Sequence, residues 1–176
     1  YRGDWADPVQ TLTNHYLSQY SASEAWLFHS HSSTLKALGQ GFSNSAEPPI
    51  IYQTMSRPGN EGPIQAKELA KMGLDVRLIE EGSAGCVANQ INGIMVGADL
   101  LTENGFKNKT GTYLLGLLAK DRQLPLYLLT DSRKKLPDNY PDSLKAYLQK
   151  DRYEKQWVSL DKTPSMPLPY YNHTFE

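Results

Sequence analysis

At 176 residues the chain has room for one well-buried domain and not for two ordinary ones. With 39% hydrophobic and 21% charged residues it falls in the globular range, which excludes collagen-like, coiled-coil and wholly disordered chains. Its 18 basic residues against 19 acidic ones leave a net charge of −1, without the footprint of a sequence-independent nucleic-acid binder.

In chain order, residues 1–24 read as an N-terminal helical segment with Val9, Leu12, Tyr16 and Leu17 on one face. Tyr1, in place of a methionine, is expected to mark a chain trimmed or cut from a longer one, and no signal peptide is recognisable. Short apolar runs then predict strands at Ala25–His29, Ile50–Thr54, Leu74–Ile79, Ile94–Gly97 and Leu126–Thr130. Pro63 opens a helix whose Ala66, Leu69 and Ala70 share a face and which Gly73 is placed to end. A second helix, from Thr110 to Lys120, carries Tyr113, Leu114, Leu115, Leu117 and Leu118 around most of its circumference and is expected to be deeply buried. Strand, helix, strand at this spacing implies right-handed βαβ crossovers. The fold class is therefore α/β, a mainly parallel sheet with helices on both faces, occupying residues 25–160. Pro141 starts a further helix with Leu144, Tyr147 and Leu148 aligned, and residues 161–176 read as an extended, proline-rich arm.

The single cysteine, Cys86, excludes an internal disulfide and a multi-cysteine zinc site, points to a reducing compartment, and is expected to pack as a small hydrophobe. Apolar runs such as Tyr113–Ala119 fall far short of the ~20 residues that span a membrane, so no membrane association is expected and the location is taken as cytoplasmic.

Three loops that follow predicted strands carry unusual chemistry, and in a parallel sheet they meet at the carboxyl edge where ligands bind. Asn108-Lys109-Thr110-Gly111-Thr112 opens a helix with free amides, two hydroxyls and a cation, a place for phosphate or an ordinary capped terminus with a solvated lysine. It has neither the Walker nor the dinucleotide-binding glycine spacing. Arg57, in Ser56-Arg57-Pro58-Gly59-Asn60-Glu61-Gly62, is a guanidinium able to hold phosphate on a turn whose glycines, Gly62 included, admit a ligand; the alternative is pairing with a carboxylate such as Glu61. Asp99 ends an apolar strand, where poor hydration raises a carboxyl pKa and suits it to proton exchange, or else it caps its loop or orients Lys109. His29, Ser30, His31 and Ser32 put two imidazoles and two hydroxyls on one loop, but with four histidines in the chain and no carboxylate nearby in sequence no metal site is expected. Gly-x-Ser-x-Gly does not occur.

The ordered series Ser56–Gly62, Ala66-Lys67-Glu68-Leu69-Ala70, Gly73, Gly97-Ala98-Asp99, Asn104-Gly105 and Asn108–Thr112 resembles one superfamily over roughly residues 25–130. It unites the alpha, beta and delta regulatory subunits of eukaryotic translation initiation factor 2B with sugar-phosphate isomerases acting on methylthioribose 1-phosphate and ribose 1,5-bisphosphate. The resemblance implies a CoA-transferase-like variant of the Rossmann-like fold, a preceding helical domain, and a homodimer or a related subunit as partner. It implies that Arg57, Asn108 and Lys109, with Thr110, Gly62, His29 and His31 around them, hold a phosphorylated small molecule, and that Asp99 is an acid/base. In the isomerases a cysteine of a His-Cys-His-Ser run is the second catalytic residue; Ser30 stands there in this chain, in a loop that also resembles the serine-rich version of the initiation-factor subunits. An alkyl hydroxyl is a far weaker acid than a thiol of pKa about 8.5.

Three functions follow as expectations. The first is an initiation factor 2B-like domain that binds a phosphorylated sugar or nucleotide, regulatory and non-isomerising. The second is an aldose-ketose isomerase using Asp99 and Ser30, the latter helped by His31, which needs no cofactor. The third is a protein-interaction scaffold, with Trp157, Pro164, Pro167, Pro169, Tyr170 and Tyr171 as a partner surface.

Overall fold

A computed structural model describes residues 24–102, 105–135, 141, 143, 153–158 and 168–173. The predicted helices over residues 1–24 and from Pro141, and the aromatic and proline side chains near the C-terminus, lie outside what is described.

The five predicted strands form, as β1 Ala25–His29, β2 Ile50–Thr54, β3 Val76–Ile79, β4 Gly93–Val96 and, later in the chain, β7 Leu126–Leu128. They make one parallel sheet in the order β3-β2-β1-β4-β7. Alternate residues of each strand point to opposite faces. On one face Trp26, Phe28, Ile51 and Met95 pack against α1 (Ser33–Ser43) and α2 (Gly62–Lys71) through Leu35, Leu38, Phe42 and Leu69. On the other, Leu27, Tyr52, Ile94 and Val96 pack against α3 (Ala84–Val87) and α4 (Thr112–Arg122) through Ala84, Val87, Leu115 and Ala119. Burying each such large side chain stabilises the fold by roughly 1.5–3 kcal/mol. The α/β class, with helices on both faces of a parallel sheet, is thus the one expected.

Between β4 and α4 the chain makes a small antiparallel hairpin, β5 Leu100–Thr102 and β6 Gly105–Lys107. Near the C-terminus β8 Tyr153–Val158 pairs antiparallel with β9 Leu168–His173, so part of the expected arm is a paired strand. Among the described residues no helix is long and apolar enough to cross a membrane.

Several local expectations are corrected. The helix at Thr110 is not buried all round: Leu115 and Ala119 face the sheet, while Tyr113 is 67% and Leu114 63% exposed. A helix laid on a sheet buries one stripe, and the surplus apolar residues are left on its far side. That helix begins at Thr112 behind Gly111, whose φ of 102° suits a glycine, so the cap is Gly111 and not Thr110. The inward face of α2 is Gln65 and Leu69, with Ala70 exposed, because the polar floor of the sheet edge takes the glutamine. Cys86 is exposed rather than packed.

Candidate functional site

Parallel pairing sets the carboxyl ends of β1, β2 and β4 side by side, with His29 in register with Val96 and Phe28 with Gln53. The three loops therefore do converge. His29 is fully buried at the end of β1, with Nδ1 2.7 Å from Thr54 Oγ1 and Nε2 3.1 Å from the Thr110 carbonyl. A carbonyl only accepts, so Nε2 carries the proton and, in the neutral ring, Nδ1 accepts from the Thr54 hydroxyl. This imidazole ties three loops together.

Beyond it the strand stops, because Ser30 turns left-handed at φ 69°. A non-glycine residue held there stores roughly 1–3 kcal/mol of strain, a cost that clusters at functional sites. Buried polar contacts impose the turn: Ser30 N donates to Ser56 Oγ at 2.8 Å, and Gln53 Nε2 to the Ser30 carbonyl at 3.2 Å. Gln65, fully buried, receives the Ser32 N–H at 2.7 Å and donates to Gln53 at 3.0 Å. The turn also separates the two imidazoles. His31 is exposed, 3.2 Å from Glu68 Oε2. Lys36, with His31 adding to it, holds the Glu68 carboxyl below its ordinary range. Among the described residues no group of three or more His, Cys, Asp or Glu could hold a metal ion.

The hairpin brings Asp99 back beside Asn108, since Asp99 N donates to the Lys107 carbonyl at 2.8 Å. Both line a cleft of about 270 Å³ with Ser30, His31, Ser32, Thr34, Thr130, Asp131 and Lys134. Asp99 is exposed at the cleft's rim, yet loss of hydration at its carboxyl still pushes its pKa up, against the pull of Lys134 and Lys109. Thr130 Oγ1, buried in the lining, has no hydrogen-bond partner among the described residues. Asn108 Nδ2 donates to Thr112 Oγ1 at 3.0 Å, and that hydroxyl donates to the Lys109 carbonyl at 2.6 Å, so the turn into α4 is closed by its own side chains.

The two cations of the expected phosphate cradle are each paired with a different carboxylate. Arg57 is exposed and grips Glu80 through Nε and Nη2, each at 3.1 Å, while its backbone N–H is taken by Glu81. Lys109 is 1% exposed with Nζ 2.8 Å from Glu61 Oε1, neither solvated nor aimed into open space. Ser30 Oγ donates to the other oxygen, Oε2, at 3.2 Å; its acceptor is Glu61, whereas His31 is engaged with Glu68. Gly62 is packed: a Cβ there would lie 1.7 Å from the Thr54 carbonyl oxygen. Site residues that sequence reasoning missed are Thr54, Gln53, Gln65, Thr130 and Lys134. For Gln53, Thr54 and Thr130 the local signal is a polar residue at or just beyond the end of an apolar strand; Gln65, inside α2, and Lys134, beyond β7, carry none.

The model of the initiation factor 2 subunit family matches residues 10–158 of the chain. The chain belongs to this family. With it the chain joins the superfamily of translation initiation factors of the 2B type and sugar-phosphate isomerases. The chain is 30% identical over 105 residues to the ribose 1,5-bisphosphate isomerase of Archaeoglobus fulgidus, covering 59% of this chain and 34% of that protein. It is 42% identical over 82 residues to the methylthioribose-1-phosphate isomerase of Fervidobacterium nodosum, covering 44% and 23%. The crystal structure of the Pyrococcus horikoshii OT3 translation initiation factor eIF-2B shares the fold, with a TM-score of 0.77 at 22% identity over 96% of this chain and 57% of that one. The chain is thus similar to proteins with both kinds of name, and it spans about a third or less of the two curated relatives.

Proposed function

We propose that the cleft binds a phosphorylated sugar or nucleotide and that the chain is a regulatory, non-isomerising member of its family. The observation that carries this reading is the hydrogen bond from Ser30 Oγ to Glu61. By that bond the base beside the Ser30 hydroxyl is a carboxylate and not an imidazole; such a hydroxyl can contact a ligand oxygen, but a carboxylate is too weak a base to make it a proton carrier near neutral pH. Around it stand a buried cation, Lys109, the amide of Asn108, the Thr110 turn and the unmatched hydroxyl of Thr130, the donor set a phosphoryl or sugar group requires. Arg57 joins them when it exchanges Glu80 for the ligand.

The relatives' names supply the first compounds to try. A thermal-shift panel of ribose 1-phosphate, ribose 1,5-bisphosphate, methylthioribose 1-phosphate, AMP and inorganic phosphate should raise the Tm with at least one sugar phosphate or nucleotide and not in Lys109→Ala. At a hundred times Kd the stabilisation is about 2.7 kcal/mol. No rise with any compound removes the reading.

Asp99 favours a second reading, since its raised pKa suits a group that moves a proton between C1 and C2 of a sugar phosphate. Turnover of a phosphorylated pentose that disappears in Asp99→Asn would establish the isomerase and end the first proposal. As a cytoplasmic protein of either kind, the chain would pair with a second copy or a related subunit through the exposed apolar face of α4. Sedimentation that finds only monomer at every concentration, with no subunit captured, refutes that pairing.

A further inference from the structure

We propose that Glu61 is a displaceable counter-ion, which neutralises Lys109 and hands its place to the anionic group of the ligand. The inference deepens the binding function proposed above and rests on it. Three observations carry it. First, the pair is asymmetric: the Lys109 side chain is 1% exposed and that of Glu61 36%. A buried ammonium needs an anion beside it, while a carboxylate at the water's edge can leave at small desolvation cost. Lys109 cannot follow, so separation leaves a fixed cation facing whatever anion enters. Second, both oxygens are used: Oε1 takes Lys109 Nζ at 2.8 Å and Oε2 takes Ser30 Oγ at 3.2 Å. One cationic and one hydroxyl donor converging on two oxygens of one group is also the donor pair for two oxygens of a phosphoryl group. Third, the turn closes over the pair, since a Cβ at Gly59 would lie 2.9 Å from Glu61 Oε1 and 3.3 Å from Lys109 Nζ. Ligand entry would exchange anion for anion at Lys109 and free the Ser56–Gly62 turn that carries Glu61.

Affinity is then the difference between two ion pairs on the same lysine. Removing the internal competitor should tighten binding of a phosphoryl compound by about tenfold or more. The experiment is titration calorimetry of the full chain with ribose 1,5-bisphosphate and, separately, inorganic phosphate, on wild type, Glu61→Gln and the double variant Glu61→Gln/Lys109→Met. Glu61→Gln is expected to bind more tightly, to melt lower than wild type without ligand, and to close that gap when saturated. The double variant should bind neither compound. A carboxylate with a purely structural role would lower melting temperature and affinity together, so equal or weaker binding by Glu61→Gln overturns the exchange and leaves the functional reading standing. If no variant binds either compound, the exchange is overturned, and the thermal-shift panel decides the functional reading separately. Should Glu61→Gln not fold, Glu61→Asp withdraws the carboxylate by one methylene and keeps its charge; a smaller gain in affinity is expected, and no gain overturns the proposal.

Discussion

Gly62 shows how a residue can matter to a ligand site without touching a ligand. The atoms a Cβ would meet there are backbone, the Thr54 carbonyl oxygen at 1.7 Å and its carbon at 2.8 Å, and neither can move alone. Gly62→Ala should therefore cost about 3 kcal/mol or more, read as a lowered urea midpoint; a change within about 0.5 kcal/mol would refute this account. Asp99 makes a prediction of the opposite kind. Burial raises its pKa above the ordinary 3.8, so the native state binds its proton more tightly than the unfolded chain does. The favourable contribution is full below about pH 3.8 and is lost as pH rises through the raised value. Asp99→Asn, which cannot ionise, should gain stability relative to wild type between acid and neutral pH, measured by denaturation across that range; a constant difference would contradict the shift. The apolar run before Asp99 made its environment legible from sequence. The carboxylate on Lys109 was not, because it comes from a residue 48 positions away.

The helix α4 divides into a buried stripe and an exposed apolar face. Leu115, 2% exposed, packs on the sheet, and Leu115→Ala should cost roughly 2–5 kcal/mol. Leu114, 63% exposed, should tolerate glutamine within about 0.5 kcal/mol in dilute monomer, since most of its side chain already meets water. Equal losses in urea titrations of the two variants would show that the helix is covered on both sides. Composition announced a helix over this run but not which side met the sheet. Leucines all round leave the amphipathic signal flat, and the choice falls to the turn at Gly111 and the contacts of Leu115 and Ala119 with β4 and β1.

Across the whole molecule the site lies where the sheet reverses direction of growth. From β1 the chain adds β2 and then β3 on one side, and β4 and then β7 on the other. The loops after β1 and β4 diverge there, and the opening between them is the cleft lined by Ser30, Asp99 and Asn108. A ligand seated in it should slow backbone hydrogen exchange in residues 30–34, 97–99 and 108–112 together, because all three loops close on the same group. Protection confined to one loop, or appearing on the outer face of α4 instead, would place the ligand elsewhere.

Alternation of apolar residues, glycine and proline punctuation and the length of each run by themselves determined the five core strands, two of the helices and the α/β class, since these depend on neighbours a few residues apart. They also brought His29, Ser30, Asp99, Asn108 and Lys109 to one edge, because parallel strands share a carboxyl end. Only the tertiary structure decided which charge meets which. Arg57 went to Glu80 and Lys109 to Glu61, and Ser30 turned to that same carboxylate and away from His31. Electrostatic partners are set by distance and burial after folding, and sequence spacing carries information about neither.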